Sequence, residues 1–201
     1  MKHLLSFETV QKRLNMAKNN FSISKTFDWY LIDVMPVVEK YTLQPNYGEH
    51  GLYTHTAAVV FRGIDFAIDR SKNPISVALA CAFHDMARIN NKEDPNHGPN
   101  AVPLAIKAMN EIDGINNNMR DFITYAVKYH DSDLIPPNYI AAFSWAADRV
   151  RRAWYGGYHP KYFATPRAHY VASHVAADYL EFMRRNISEY ARKIIELSEY
   201  Y

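Results

Sequence analysis

An all-α fold in a single domain is what this sequence predicts, and three observations carry it. Apolar residues recur at helical spacing nearly throughout, no convincing period-two segment is bounded by turn residues, and asparagine or asparagine-proline punctuation stands where several helices would start. At 201 residues with 48% hydrophobic content, one domain over 1–201 with a sizeable core is expected and disorder is not. No internal repeat, low-complexity tract or linker divides the chain.

In chain order, apolar spacing alone predicts helices over 6–17 and 27–41. The helix expected over 51–69 contains the run from Leu52 to Val60, with His55 near its start. Asn73-Pro74 opens the next, over 74–87: the asparagine caps, and proline at the first helical position lacks only an N–H that would have no helical partner. That helix closes on Ala80-Cys81-Ala82-Phe83-His84-Asp85. A short helix over 100–110 follows, Asn116 to Asn118 can cap one over 117–130, and one over 139–153 carries Asp148. The last segment, 166–197, runs from Pro166 without a further Gly or Pro and can break near Asn186-Ile187-Ser188. Its stripe of Val171, Val175, Tyr179, Phe182, Ile187, Tyr190, Ile194 and Leu197 reads as core, with a homodimer-forming arm as the alternative.

The charge balance, 23 basic against 21 acidic residues for a net +2, gives no global drive toward nucleic acid or an anionic membrane. Attraction for an anion must come from a local cluster, and Arg149, Arg151 and Arg152 are the candidate. Glu8 and Gln11-Lys12-Arg13 interrupt the amino-terminal apolar residues, so no signal peptide is expected. The longest apolar run, Val77 to Phe83, is far short of a membrane span. Cys81 has no cysteine to pair with and reads as a buried filler. A cytoplasmic location is the default expectation.

The chemistry starts from His84-Asp85, an adjacent imidazole and carboxylate at an expected helix end. On a regular helix the two side chains lie about 100° apart, so both can face one ion only at the edge of the inward face or where the helix frays. His55 upstream and Asp148 downstream bring the set to two His and two Asp on different helices. Imidazole with carboxylate suits Zn, Mn, Fe, Co or Ni, and the lack of thiolate argues against a closed structural zinc. Open coordination positions, hence catalysis, follow.

The ordered set His55, His84-Asp85, Asp148, with the final Asp before Arg149 in a late helix, resembles the HD-domain metal-dependent phosphohydrolases. Their signature is H…HD…D, and the resemblance covers about residues 50–152. It implies a helical HD-type fold with a metal site between helices, His55, His84, Asp85 and Asp148 as ligands, and hydrolysis of a phosphoester by metal-activated water. The implied substrate is a small phosphorylated molecule, a nucleotide or related compound first. Relatives use further His either as ligands of a second ion or as acid/base groups, so one ion or two is open. His130 is favoured as a second-ion ligand and His97, in the loop His97-Gly98-Pro99-Asn100, as the acid/base group; Asp85, His97 and His130 make up the expected catalytic set.

Arg88 and Lys92 follow the doublet and Arg149 and Arg152 neighbour Asp148, which makes these four the candidates for phosphate contact. The irregular stretches 92–100, 113–118, 131–138 and 155–165 include two that begin just past His84-Asp85 and His130, the layout in which helices fix ligands and loops shape a mouth. In Tyr155-Gly156-Gly157-Tyr158-His159-Pro160 the rings could stack on a nucleobase, although packing is their expected role. His169 and His174, five apart, do not share a helix face and make no second zinc motif. No Gly-x-Ser-x-Gly elbow, Walker loop or Gly-x-Gly-x-x-Gly competes. Two other readings stand beside the hydrolase: a di-iron oxygenase of the inositol-oxygenase type, and a non-catalytic module that binds metal or nucleotide.

Overall fold

Side-chain caps open most of the helices. The computed structural model describes residues 21–45, 51–89, 94–174 and 176–194. Ser22 accepts the Lys25 amide at 3.2 Å to start α1 (Ile23–Trp29), and a π-helical turn, Tyr30–Val34, joins it to α2 (Met35–Tyr41). A second π-helical turn, Leu52–Thr56, leads into α3 (Ala57–Asp69). Asn73 accepts the Ile75 amide at 2.9 Å ahead of α4 (Pro74–Phe83), and α5 is His97–Met109. Asn116 caps α6 (Asn117–Lys128) through the Met119 amide, and Asn138 caps α7 (Tyr139–Arg152) through the Ala141 amide. After turns at Ala153–Gly157 and Pro160–Tyr162 come α8 (Pro166–Ser173), α9 (Ala176–Asn186) and α10 (Glu189–Ile194). Each cap satisfies an amide the helix leaves unpaired, worth about 1 kcal/mol.

α4 is the centre. All of its residues are buried, which suits a helix apolar on every side, and it packs against α3, α6 and α7, while α5 lies against α6 and α2. Gly63 lets α3 and α4 approach closely, because a Cβ there would meet Cys81 Sγ at 2.6 Å. Cys81 is therefore a buried contact between the two helices that end in the site.

Four boundaries differ from expectation, the first being the start of α1 at Ile23 rather than 27, where Ser22 supplies the cap. α4 stops at Phe83, so His84 and Asp85 sit in the turn beyond it, and α5 begins at His97, three residues ahead of the expected start at 100. The long final segment is broken twice: besides the expected gap at Ile187-Ser188, α8 ends at Ser173 because Ser173 Oγ and His174 Nδ1 both bond the Tyr170 carbonyl, at 3.2 and 2.6 Å. Of its stripe, Val171, Tyr179 and Ile187 are buried and Tyr190 is half exposed. The helix expected over 6–17 lies outside the described residues, and no described helix is long and apolar enough to cross a membrane.

A buried polar group fastens the final helices to α3. Asp65 accepts from Arg167 Nε and from the Tyr179 hydroxyl, both at 2.9 Å, and one turn away the fully buried Arg62 donates Nε to the Ala147 carbonyl at 2.7 Å. Burial pushes the Asp65 carboxyl up while Arg167 pulls it down, which marks a charge held by its partners rather than by water. Asp65→Ala removes one acceptor from two donors, and a loss of about 2–4 kcal/mol in urea unfolding is expected, against roughly 1 kcal/mol for Tyr179→Phe. Equal unfolding midpoints for wild type and Asp65→Ala would show that the group contributes nothing to stability.

Candidate metal centre

Five helices bring six ligand-type side chains together. His55 comes from the π-helical turn before α3, His84 and Asp85 from the turn after α4, His97 from the first position of α5, His130 from the turn after α6, and Asp148 from α7. The four imidazoles are 2–4% exposed and Asp85 is 8% exposed, so little water competes for their polar atoms.

They fall into two clusters. His55, His84 and Asp148 form one, and Asp85, His97 and His130 the other, with the ligand atoms of each within 4.8 Å of one another. In the first, His55 Nε2 lies 3.3 Å from His84 Nε2 and 3.1 Å from Asp148 Oδ1. In the second, His97 Nε2 and His130 Nε2 are 2.7 Å apart. Asp85 joins the two: Oδ2 is 3.3 Å from His84 Nε2 and 3.7 Å from His55 Nε2, while Oδ1 is 3.3 Å from His97 Nε2 and 3.7 Å from His130 Nε2.

The tautomers show what the clusters fit. His84 Nδ1 bonds the Cys81 carbonyl at 2.6 Å, His130 Nδ1 the Val127 carbonyl at 2.8 Å, and His97 Nδ1 the Asp94 carbonyl. A carbonyl only accepts, so each Nδ1 carries a proton and each neutral ring turns a lone pair inward at Nε2. Two such lone pairs 2.7 Å apart, as in His97 and His130, repel unless a proton or a cation lies between them. Metal-bound imidazole nitrogens, each about 2.0–2.1 Å from a shared ion, stand roughly 3 Å apart. The spacings and the N/O donor set suit a divalent cation, and the carboxyl ends of α4 and α6, which carry partial negative charge, converge on the same place.

Electrostatics places one proton in the first cluster. Burial pushes His55 down, to about 4, although Asp148 opposes it. Burial also works against a charged His84, but Asp85 and Asp148 outweigh it and hold that ring's pKa well above its ordinary value. Desolvation would raise the Asp148 carboxyl, yet His55 and His84 together hold it well below the usual range. The two rings share Asp148, and the proton of the pair rests on His84. In the second cluster burial opposes a charge on His97, and its bonds to Asp85 and the Asp94 carbonyl raise it.

A cavity of about 280 Å³ opens onto both clusters, with Arg88, Arg149, Arg151, Arg152, Asp131 and Tyr155 in its wall. Arg88 Nε lies 3.7 Å from Asp85 Oδ2, and its Nε and Nη1 are buried with no hydrogen-bond partner among the described residues. Arg149 is committed elsewhere, with Nη2 donating to the His130 and Ser132 carbonyls at 3.0 and 2.5 Å. Arg152 pairs with Asp131 at 3.3 Å, and Lys92 lies outside the described residues.

Two expectations change. His97 belongs to the first turn of α5 and is buried against His130, so it is not on a flexible mouth loop. Tyr155 is 68% exposed on the cavity rim, so it does not pack in the interior: Tyr155 and Gly156 leave helical geometry, with φ +95° at Gly156, and turn the ring outward. Arg151, named with the anion-attracting cluster but not among the four individual phosphate contacts, lines the cavity. Its place three residues after Asp148, on the same helix face, was the signal that would have found it.

No family model and no curated protein matches the sequence. Among solved structures, a predicted HD superfamily hydrolase from an uncultured Thermotogales bacterium superposes with a TM-score of 0.57, covering 78% of this chain and 90% of its own. The chain has the HD fold. Identity over that superposition is 17%, so the likeness speaks for backbone architecture. In this HD fold the His and Asp cluster lies between helices, as the sequence resemblance implied.

A cation entering the first cluster must expel the His84 proton, so metal binding should release protons and weaken as pH falls. The affinity is expected to drop up to about tenfold per pH unit for each proton displaced. Calorimetric titration of the chelator-treated protein with Mn²⁺, in buffers of different ionisation enthalpy, measures the release. Heats independent of buffer would contradict the placement of that proton.

Proposed function

We propose that the protein is a metal-dependent phosphohydrolase cleaving a phosphoester of a small molecule, with a nucleotide or related compound as the substrate class. One observation carries the reading: Arg88 lines the cavity onto which both imidazole clusters open, and two of its guanidinium donors, Nε and Nη1, make no hydrogen bond among the described residues. A guanidinium there is complementary to a pair of phosphoryl oxygens. The fold likeness to a protein described as a predicted hydrolase points the same way.

In this reading His55, His84 and Asp148 would hold one divalent ion and His97 and His130 a second, with Asp85 within reach of both clusters. Mn, Fe, Zn, Co and Ni are the candidates. Bound there, the ions supply Lewis acidity toward a phosphoryl oxygen and acidify an attacking water. Arg88 binds and orients the phosphoryl group. Arg151 and Arg152 add positive charge along the wall, while Arg149 fixes the turn that carries His130. Asp148, held well below the ordinary carboxylate range, stays ionised and is a ligand rather than a proton donor. His97 and His130, with Nε2 atoms turned toward each other, act as ligands, and His97 gives up the acid/base role its loop position suggested.

Arg88→Ala is expected to lower kcat/KM about ten- to a hundredfold while metal content stays at the wild-type level. The assay is a metal-loaded anaerobic screen over nucleotides, cyclic nucleotides and sugar phosphates. Unchanged kinetics on the best substrate would place Arg88 outside the phosphate site. Turnover only with oxygen, on an unphosphorylated polyol, would favour the di-iron oxygenase, and binding without turnover the non-catalytic module.

The nucleotide part of the proposal rests on the cavity rim. A cavity of about 280 Å³ suits a small molecule, and the exposed Tyr155 ring, with the Arg151 guanidinium 5.8 Å from its centroid, offers a flat face at the entrance. Stacking of a base on such a ring is worth about 1–3 kcal/mol. Tyr155→Ala should raise KM for a nucleotide roughly tenfold or more, leave KM for a sugar phosphate unchanged, and be rescued by Tyr155→Phe. Parallel changes for both substrates would remove the stacking role.

A further inference from the structure

Gly98 is the second residue of α5, directly after His97. Its backbone is ordinary right-handed helix, where alanine is favoured over glycine by about 1 kcal/mol, so conformational freedom does not explain a glycine there. Space does. A Cβ at this position would lie 2.9 Å from the Lys128 carbonyl oxygen, 3.1 Å from the Val127 carbonyl oxygen and 3.2 Å from His130 Nδ1.

Two of those three atoms are the ends of one hydrogen bond, His130 Nδ1–H to the Val127 carbonyl at 2.8 Å, which sets the ring's tautomer and aims Nε2 at His97. The third is backbone of the same α6 terminus. None is the far end of a flexible side chain, so an added methyl must push α5 off α6 or turn the His130 ring. Either movement separates two Nε2 atoms that are now 2.7 Å apart. The three ligands of the first cluster come from other elements, the turn before α3, the turn after α4, and α7, and do not touch Gly98.

We infer that Gly98 is a positioning residue for the second cluster: by lacking a side chain it seats α5 on the end of α6, and so holds His97 and His130 at the spacing of two ligands of one cation. This rests on the two-ion reading of the site proposed above. Supporting groups behind a metal ligand typically change affinity about ten- to a hundredfold when disturbed, and the same scale is expected here.

The test compares wild type, Gly98→Ala and Asn100→Ala, an exposed position on the same helical turn. Mn²⁺ stoichiometry and electron paramagnetic resonance give the first readout. Wild type and Asn100→Ala should bind two ions per chain with the spectrum of a coupled pair, and Gly98→Ala one ion tightly and the second at least about tenfold more weakly, with an uncoupled spectrum. The second readout is the His130 Nδ1–H proton resonance of the chelator-treated proteins, expected in wild type and Asn100→Ala and lost or shifted in Gly98→Ala. Equal second-ion affinity with two ions bound in all three overturns the role of Gly98 and leaves the two-ion site standing. A single ion in wild type overturns the two-ion site; Gly98 is then decided by the imidazole resonance, and the same signal in wild type and Gly98→Ala refutes it. Loss of helical circular dichroism in Gly98→Ala also overturns the inference, since glycine would then serve general packing.

Discussion

The carboxylate of Asp85, with one oxygen toward each pair of imidazoles, is the contact on which the rest of the arrangement depends. A buried carboxylate is tolerated only where opposite charge or donors surround it. Here its surroundings are four rings that present lone pairs more than protons, together with Asp148 and Arg88. The acceptors in this collection call for positive charge among them, which the His84 proton and Arg88 supply in part. The fold brings acceptors together at the ends of α4, α6 and α7 and surrounds the opening with arginines, which gives a cation-seeking interior behind an anion-seeking entrance.

The same helices serve both jobs through their caps. The Cys81 and Val127 carbonyls lie in the last turns of α4 and α6, where the backbone has no helical donor left to offer, and His84 and His130 supply that donor three residues on. His97 makes the same three-residue step back, to the Asp94 carbonyl, at the start of α5. One imidazole proton thus closes a helix or turn and fixes which nitrogen faces inward.

Much of this was legible in the sequence. His84-Asp85, His55 and Asp148 stood out by type and order, and the caps at Asn73 and Asn116 marked where α4 and α6 begin. The partition into two clusters was not legible, because it depends on which face of a frayed turn Asp85 presents, and spacing cannot give that. His97 was misread as mobile because Gly98-Pro99 looks like a loop: proline fits a first helical turn as readily as it fits a loop, and the reason for glycine lies on α6, remote in sequence. The packing expected of the loop's rings holds at Tyr158, which stacks on Phe163, and not at Tyr155, which stands exposed where the backbone reverses at Gly156. The break at Ser173-His174 hid because neither residue is a strong helix breaker; it comes from side chains competing for one carbonyl.

The three-residue step from ring to carbonyl also bears on how the protein is made. Each of His84, His97 and His130 can adopt its inward-facing tautomer as soon as its own turn exists, without help from distant parts of the chain. Asp148, by contrast, is carried on α7, long after His55 in order of synthesis. A chain leaving the ribosome therefore presents prepared single ligands early and completes the first cluster only when α7 has emerged and docked on α3 and α4. Any ion taken up by that cluster would meet a nearly finished fold rather than seed its folding.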